Sequence, residues 1–499
     1  MIDFWQSVFQ NPWVSMVLLV FALASVAIIL AFSVGQFHLF YLYLRYGLKK
    51  TPPAEPFKPG EHFEVVIQIP IYNEVFVAER VIDRCANQDY PKDRFRVQVL
   101  DDSDDTETGP LIAKAVDKAR LSGTHIQVLR RPDRTGYKAG NLANGLMHDA
   151  APFIAIIDAD FAPEPDFLSR VMPRFRDESI GCVQTRPRHM NREFSWLTLA
   201  QALLHDAFYL VEQQARHAAG CFIRFNGTGG IWRRTALIEA GGWQHDTISE
   251  DMDLAYRAQL KGWRLFFDIN VDVPAELPVS VNDVKIQQYR WAKGRAQVIR
   301  KTLNSLWNTN LSLRVKGHAL LDMLNIFAVP AGLLLALASL WFIFSSSKPI
   351  PTALQTVFML LQINVILLPL FTLAAMRHYG VGVIGTVKEW LRSFPAFFPL
   401  LLAMAPLATA ALIDGLTGKT AVFHSTLKYN VNDLGAKWKT RRFATHGISR
   451  STWAEGAMAL YFVTGVWMGV SIGMIALVPF HSILFIGYGF VCIASILKT

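Results

Sequence analysis

Three groups of residues in this 499-residue chain combine side-chain types and spacings that suit chemistry. In "IIDAD", Asp158 and Asp160 stand one residue apart behind an apolar, β-type run. Hard oxygen ligands at that spacing suit Mg2+ or Mn2+ held against a diphosphate, because Mg2+ prefers one or two carboxylates completed by phosphate oxygens. A solvated turn after a strand would read the same way. In "TISEDMDLAYRAQLKGW", Glu250 and Asp251 open a helical stretch. Either carboxylate could cap the helix and offset its dipole, or serve as a general base toward an acceptor hydroxyl. In "KIQQYRWAKGRAQ", Gln287, Arg290 and Trp291 fall on about one helical turn, shortly before the chain becomes apolar. An amide, a guanidinium and an indole placed so could hold something flat, hydroxylated and partly anionic. A helix lying at a membrane surface, anchored by Trp and Arg, would carry the same residues.

These groups need a scaffold, and the stretch from about Glu64 to Arg300 supplies one. "EVVIQIP", "RVQVLDD", "HIQVLRR" and "FIAIIDAD" are β-rich runs that end in polar residues, separated by helical stretches such as "VFVAERVIDRCANQ" and "GPLIAKAVDKARL". Such alternation argues for an α/β domain with a mostly parallel sheet and helices on both faces. Ligands bind beyond the carboxyl ends of the strands in such sheets, where Asp101/Asp102 and Asp158/Asp160 cluster. "VLDDSDD" could accept hydrogen bonds from a base or ribose, or be an acidic loop. In "RTGYKAGNLANGL", Lys138 follows Gly136 near a helix start. A cation beside free N–H groups favours phosphate there, although an ordinary surface helix could begin in the same way.

Composition places this domain at a membrane. The chain is 52% hydrophobic and 18% charged, with a mean hydropathy of +0.25. That is too apolar for a soluble enzyme and too polar for a pure membrane bundle. The net charge of +9 gathers beside apolar runs, as in Arg45/Lys49/Lys50 and Lys437/Lys439/Arg441/Arg442. It therefore reads as positive-inside bias and attraction to anionic lipid, with no nucleic acid implied. The run from Trp13 to about Leu44 is too long for a cleaved signal peptide and reads as a retained span. Further runs at about 317–345, 353–376, 454–475 and 479–497 are near spanning length. The run at about 394–413 has basic residues on both flanks and Pro395, Pro399 and Pro406 within it, and reads as interfacial or re-entrant. The expected division is an N-terminal transmembrane helix over 1–50, a cytoplasmic α/β domain over 60–300 and a membrane region over 301–499. Cys85, Cys182, Cys221 and Cys492 show no Cys-x-x-Cys pairing, so neither a disulfide framework nor a zinc site is expected.

The order of the motifs narrows the function. "PIYNE" (Pro70–Glu74), "DDS", "YKAGN", "DAD", "FNGTGG" (Phe225–Gly230), "SED" and "QQYRW" follow one another along the chain. As a set they resemble the family 2 glycosyltransferases, in the processive cellulose-synthase-like branch. The stretch from Phe225 to Trp263 looks most like the plant mannan and glucan-backbone synthases.

That resemblance implies a GT-A fold followed by interfacial helices and a transmembrane channel. It also implies a nucleotide-sugar donor, UDP-glucose or GDP-mannose, with the commoner glucan activity favouring UDP-glucose. Pro70, Tyr72, Glu74 and Asp102 would lie against the nucleoside and Lys138 and Arg290 against the diphosphate. Asp158 and Asp160 would hold Mg2+ or Mn2+, and Asp251 would be the base of an inverting transfer. Asn226, Gly227, Glu250, Gln287 and Trp291 would meet the acceptor, a growing β-1,4-linked polysaccharide. "AVFHSTLKYN", within about 419–432, carries Phe423, Thr426 and Lys428 and resembles the cellulose-synthase gating loop, with Ser425 where Val is usual. Export would place the chain in a bacterial plasma membrane, or alternatively a Golgi membrane, with the catalytic domain cytoplasmic. It would also allow periplasmic or homo-oligomeric partners. A single-transfer enzyme acting on a lipid keeps the same base and metal motifs, and a transporter with a degenerate nucleotide domain is the remote alternative.

Overall fold

The computed structural model describes residues 11–49, 51–345, 363–419, 428–430 and 449–497. Phe423 and Thr426 of the expected gating loop lie outside them. The four apolar runs read as strands are strands: β1 Val65–Ile71, β2 Phe95–Asp101, β3 Ile126–Arg130 and β4 Phe153–Ile156. Three more complete a seven-stranded sheet: β5 Ile180–His189, β6 Gly230–Arg233 and β7 Arg264–Ala275, in the order β3-β2-β1-β4-β6-β5-β7. β1 runs parallel to β2 and β4, and β5 parallel to β7. β6 is antiparallel to both β4 and β5. The sheet is thus mostly parallel, and this reversal brings the loop before β6 beside the end of β4.

Each face of the sheet is covered, as crossover helices require. Val65, Ile67, Ile69 and Ile71 of β1 pack on one side with Val81, Ile82 and Val116 of the helices Ala78–Ala86 and Thr108–Leu121. Val66, Leu100, Ile154 and Trp232 pack on the other side with Leu142, Leu254 and Ala258. Fully burying such a side chain contributes about 1.5–3 kcal/mol, so the strand ends are held by a rigid core.

Among the described residues, three helices are long and apolar enough to cross a membrane: Pro12–Gly47, Leu313–Trp341 and Val478–Leu497. The run read as interfacial or re-entrant belongs to two helices, Gly382–Ala403 and Ala405–Leu416, that meet at a 45° bend. The run read as a span over 454–475 forms the helix Arg450–Ser471. That helix falls outside the three, its first turns carrying the charged Arg450 and Glu455.

The 28-residue helix Val281–Asn308 joins the two halves of the molecule. Ser280 caps it by accepting from the Asp283 N–H at 3.1 Å. Gly294 lets it press against Ser249, and a Cβ on the facing Gly415 would come within 2.6 Å of the Lys293 carbonyl. Lys285 reaches Glu455 (2.6 Å) on the helix Arg450–Ser471 and Ser495 (2.8 Å) on the helix Val478–Leu497. The Gln287–Trp291 turn is therefore clamped between the catalytic domain and the membrane region.

Candidate active site

The carboxyl ends of β1 and β2 are knitted together by side chains. Pro70 pairs with Leu100 at the end of the β1–β2 ladder. Beyond it Asn73 takes a positive φ of 56°, which Asn tolerates better than most residues. The Asn73 side chain donates to Asp104 (2.7 Å) and accepts from the Asp104 N–H (3.1 Å). Tyr72 donates to Asp104 at 3.1 Å, and the Arg134 guanidinium lies 3.2 Å over its ring. Asp102 accepts two hydrogen bonds from Arg131, at 2.8 and 2.7 Å. Arg131 also donates to the carbonyls of Thr135 and Tyr137, so Asp102 anchors the turn that leads to Lys138.

Lys138 sits in the first turn of the helix Tyr137–Met147. Its ammonium meets Asp158 at 2.6 Å and donates to the Gly227 carbonyl at 2.9 Å. The Asp158 N–H donates to Thr228 at 2.8 Å, which fixes the Asp-x-Asp turn to the "FNGTGG" loop. Gln184 of β5 holds that loop as well, accepting from the Asn226 N–H (2.9 Å) and donating to the Thr228 carbonyl (3.0 Å). Gly227 has φ +83°, and a Cβ there would come within 2.9 Å of Asp251 and 3.4 Å of Lys138. Only glycine brings this loop so close to both groups.

Glu250 and Asp251 open the helix Glu250–Leu260, as expected. Asp251 accepts from the Met252 N–H at 2.7 Å through one oxygen and turns the other toward Gly227. Burial raises its pKa, while the Met252 N–H and Lys138 pull it back down. A buried carboxylate with a raised pKa and a cation close by suits proton abstraction. Glu250 is pushed up to about 7 by burial and by the charge of Asp251. Its proton is therefore held more tightly in the folded chain than in the unfolded one. This carboxyl should cost the fold nothing below about pH 4.5 and progressively more as pH rises toward 7. Glu250→Gln is expected to match wild-type thermal stability in acid and to exceed it by pH 8. A constant difference across that range would show that Glu250 does not titrate there.

The helix Val281–Asn308 closes the site. Arg290 is buried, which lowers its pKa, and it faces Glu250, Asp158, Asp160 and Glu74. The Gln287 carbonyl oxygen is buried and accepts no hydrogen bond among the described residues, and neither does the Asn226 amide nitrogen donate one. Trp291 lies 5.7 Å from the ring of His205 on the helix Trp196–Asp206.

Lys428 reaches into this site and meets Asp160 at 2.6 Å. Its neighbours hold the segment there: the Tyr429 N–H donates to Glu276 at 3.1 Å, and Arg80 donates to Asn430 at 2.6 Å. Glu74 faces Lys428, Asp160, Asp158 and Glu276, and burial among these groups pushes it up to about 8. Removing Lys428 leaves Asp160 without this cation, so Lys428→Ala is expected to reduce turnover by about tenfold or more, the order of one charge-assisted hydrogen bond. Unchanged yield and product length in that variant would make the segment a passive connector.

The residues missed in the sequence are those that hold others in place: Arg131, Arg134, Gln184, Thr228, Arg80 and Glu276. Of the three arginines in "RRPDRTGYK", Arg131 and Arg134 were visible as charge beside Lys138, but Gln184 sits in β5 and Glu276 just past the end of β7, strands whose positions only the sheet defines.

A GT-A-like mixed sheet thus brings an Asp-x-Asp turn, a cationic helix start and a buried acid across a glycine loop to one place. Residues 62–294 match the family described as Glycosyltransferase like family 2. Over 266 residues the chain is 40% identical to a probable glucomannan 4-beta-mannosyltransferase 7 of Oryza sativa subsp. japonica, covering 52% of this chain and 46% of that protein. It is 38% identical over 261 residues to glucomannan 4-beta-mannosyltransferase 7 of Arabidopsis thaliana, covering 51% of this chain and 47% of that protein. The match thus spans about half the length of these curated relatives. These similarities agree with the cellulose-synthase-like resemblance carried by the motifs. In structure, a mannosyltransferase from Pyrobaculum calidifontis, solved in complex with GDP-Man and Mn2+, shares the fold. The TM-score is 0.55 at 20% identity, covering 79% of this chain and all of that one.

Proposed function

We propose that the chain is an inverting β-mannosyltransferase that uses GDP-mannose to extend a β-1,4-linked mannan or glucomannan at a membrane. The observation that carries this reading is the placement of Asp251, with one oxygen fixed by the Met252 N–H and the other against Gly227, beside the Lys138 that meets Asp158. Asp251 takes the proton of the acceptor hydroxyl as that oxygen attacks the anomeric carbon. The bond to the diphosphate breaks on the opposite face, and its electron pair leaves with the nucleotide. One displacement with no enzyme nucleophile turns an α-linked donor into a β-glycoside.

Asp158 and Asp160 would hold Mg2+ or Mn2+. They fit such an ion because each carboxylate lies against an ammonium group at 2.6 Å, in a site where Glu74, Glu250 and Asp251 add further acid. When bound, the ion neutralises charge on the leaving diphosphate. Lys138 and Arg290 add fixed positive charge that needs no reorganisation. Gln287 and Trp291 hold the acceptor sugar, the indole by stacking and the amide oxygen by accepting a hydroxyl. Their position beside the membrane helices supports retention of a growing chain between transfers, with Lys428 as part of a loop over the donor.

The names of the relatives shift the donor from UDP-glucose toward GDP-mannose. The test is incubation of the purified full chain in nanodiscs with labelled GDP-mannose or UDP-glucose, with and without chelator, followed by linkage-specific digestion. The expected product is a metal-dependent polymer cut by endo-β-1,4-mannanase. Incorporation from UDP-glucose alone would overturn the donor. A single sugar transferred to lipid would overturn chain extension.

A further inference from the structure

A cavity of about 310 Å3 lies away from the catalytic carboxylates, lined by Arg192, Glu193, Tyr379, Thr386 and Glu389 together with Met376, Val381 and Gly385. Its polar wall is a closed ring of charges. Arg192 meets Glu193 (2.7 Å) and Glu389 (2.9 Å), and Arg392 meets the same two carboxylates (2.7 and 3.6 Å). The Arg192 guanidinium lies 4.9 Å over the Tyr379 ring, which closes one side.

The helix Gly382–Ala403 forms one wall, and its first turns divide into three faces. Val383 and Ile384 are 80% and 87% exposed, and Val387 and Leu391 are also exposed. At 3.6 residues per turn these four fall within about 100° of arc. Lys388 and Arg392, both exposed, come next around the helix. Gly385, Thr386 and Glu389 occupy the remaining face and line the cavity. A bare apolar stripe beside the end of the apolar helix Ile363–Met376 is the pattern of a helix lying in the bilayer interface. The basic edge then stands between the acyl region and the cavity mouth, with the exposed Arg377 in the adjoining turn.

We infer that this cavity is a binding site for an anionic phospholipid with a hydroxylated head group. The acyl chains lie along Val383, Ile384, Val387 and Leu391. The phosphate is held by Lys388 and Arg392 at the basic edge, and the head-group hydroxyls donate to Glu193 and Glu389 inside. Basic pockets between membrane helices take such head groups, and a cation near an anionic surface strengthens binding about fivefold. The carboxylates in the ring distinguish a hydroxylated head group from bare phosphate, which they would repel. The cavity also touches the acceptor side of the enzyme. Tyr379 donates to Asp206 at 2.5 Å, and the adjacent His205 faces Trp291. The assignment is independent of the donor and of chain extension.

The experiment uses the purified full chain, exchanged into mixed micelles of equimolar phosphatidylcholine and phosphatidylglycerol, with retained lipid counted by native mass spectrometry. Phosphatidylglycerol should be retained preferentially. Lys388→Gln with Arg392→Gln should lower its retention about 25-fold, from two factors of about five. Thr386→Trp, which fills the cavity and leaves the cations in place, should lower it as well. Arg45→Gln, a basic residue at the end of the N-terminal helix, should not. Equal retention of the two lipids, or unchanged retention in the double variant and in Thr386→Trp, both eluting as monodisperse protein, would overturn the site. Displacement by glycerol phosphate alone would reassign it to a free anion. Displacement by a β-1,4-manno-oligosaccharide would reassign it to the sugar chain.

Discussion

Replacing Asp251 with Asn is expected to lower turnover by about 10²–10⁴-fold, the usual contribution of a positioned general base, while donor binding stays near the wild-type value. The substitution is nearly isosteric. The oxygen that accepts from the Met252 N–H can be kept by the amide, so the start of the helix Glu250–Leu260 is preserved. What disappears is the second oxygen, the one turned toward Gly227 and available to an acceptor hydroxyl. The donor contacts expected from Lys138, Asp158 and Arg290 are untouched, so nucleotide-sugar affinity measured by calorimetry should hold as the rate of nucleotide release falls. A variant with near-normal turnover would reduce Asp251 to a helix cap.

The second large effect concerns stability. Asp322, on the membrane helix Leu313–Leu324, is fully buried and accepts from Arg224 at 2.7 and 2.6 Å, from Arg216 and from the Tyr256 hydroxyl at 2.8 Å. Asp322→Ala would leave the buried Arg224 without its carboxylate and Arg216 with Glu212 at 3.6 Å. Breaking a buried ion pair from one side costs about 3–5 kcal/mol, because the remaining charge is uncompensated. The loss should also reach the active site. Arg224 stands two residues before Asn226, and Tyr256 shares a helix with Asp251. Thermal unfolding in detergent should shift sharply down for Asp322→Ala and much less for Asp322→Asn, which keeps acceptor oxygen for part of the cluster. An unshifted transition in Asp322→Ala would show that the cluster does not tie the domain to the membrane region.

The first half of the sheet was legible because its strands are short, apolar and bounded by turn residues. "EVVIQIP" and "FIAIIDAD" became β1 and β4 nearly as read, and the acids after them stand at strand ends. The pairing of β6 was not legible. β6 has only four residues and lies antiparallel between β4 and β5, a non-local choice that no periodicity encodes. That choice places Gly227 against Asp251 and Lys138.

The sequence by itself determined the class of chemistry, because the side-chain types of Asp158, Asp160, Asp251, Arg290 and Trp291 and their order along the chain limit what they can do. It also determined that the chain has membrane helices, because 20-residue apolar runs leave few other folds. Tertiary structure alone decided which groups share a charge environment. Glu74 lies among Asp158, Asp160 and Lys428, and Asp102 anchors Arg131. Lys428 met Asp160 across 268 residues of chain. Electrostatic partnership depends on distances of a few ångströms between atoms far apart in sequence, and only the packed sheet and helices set those distances.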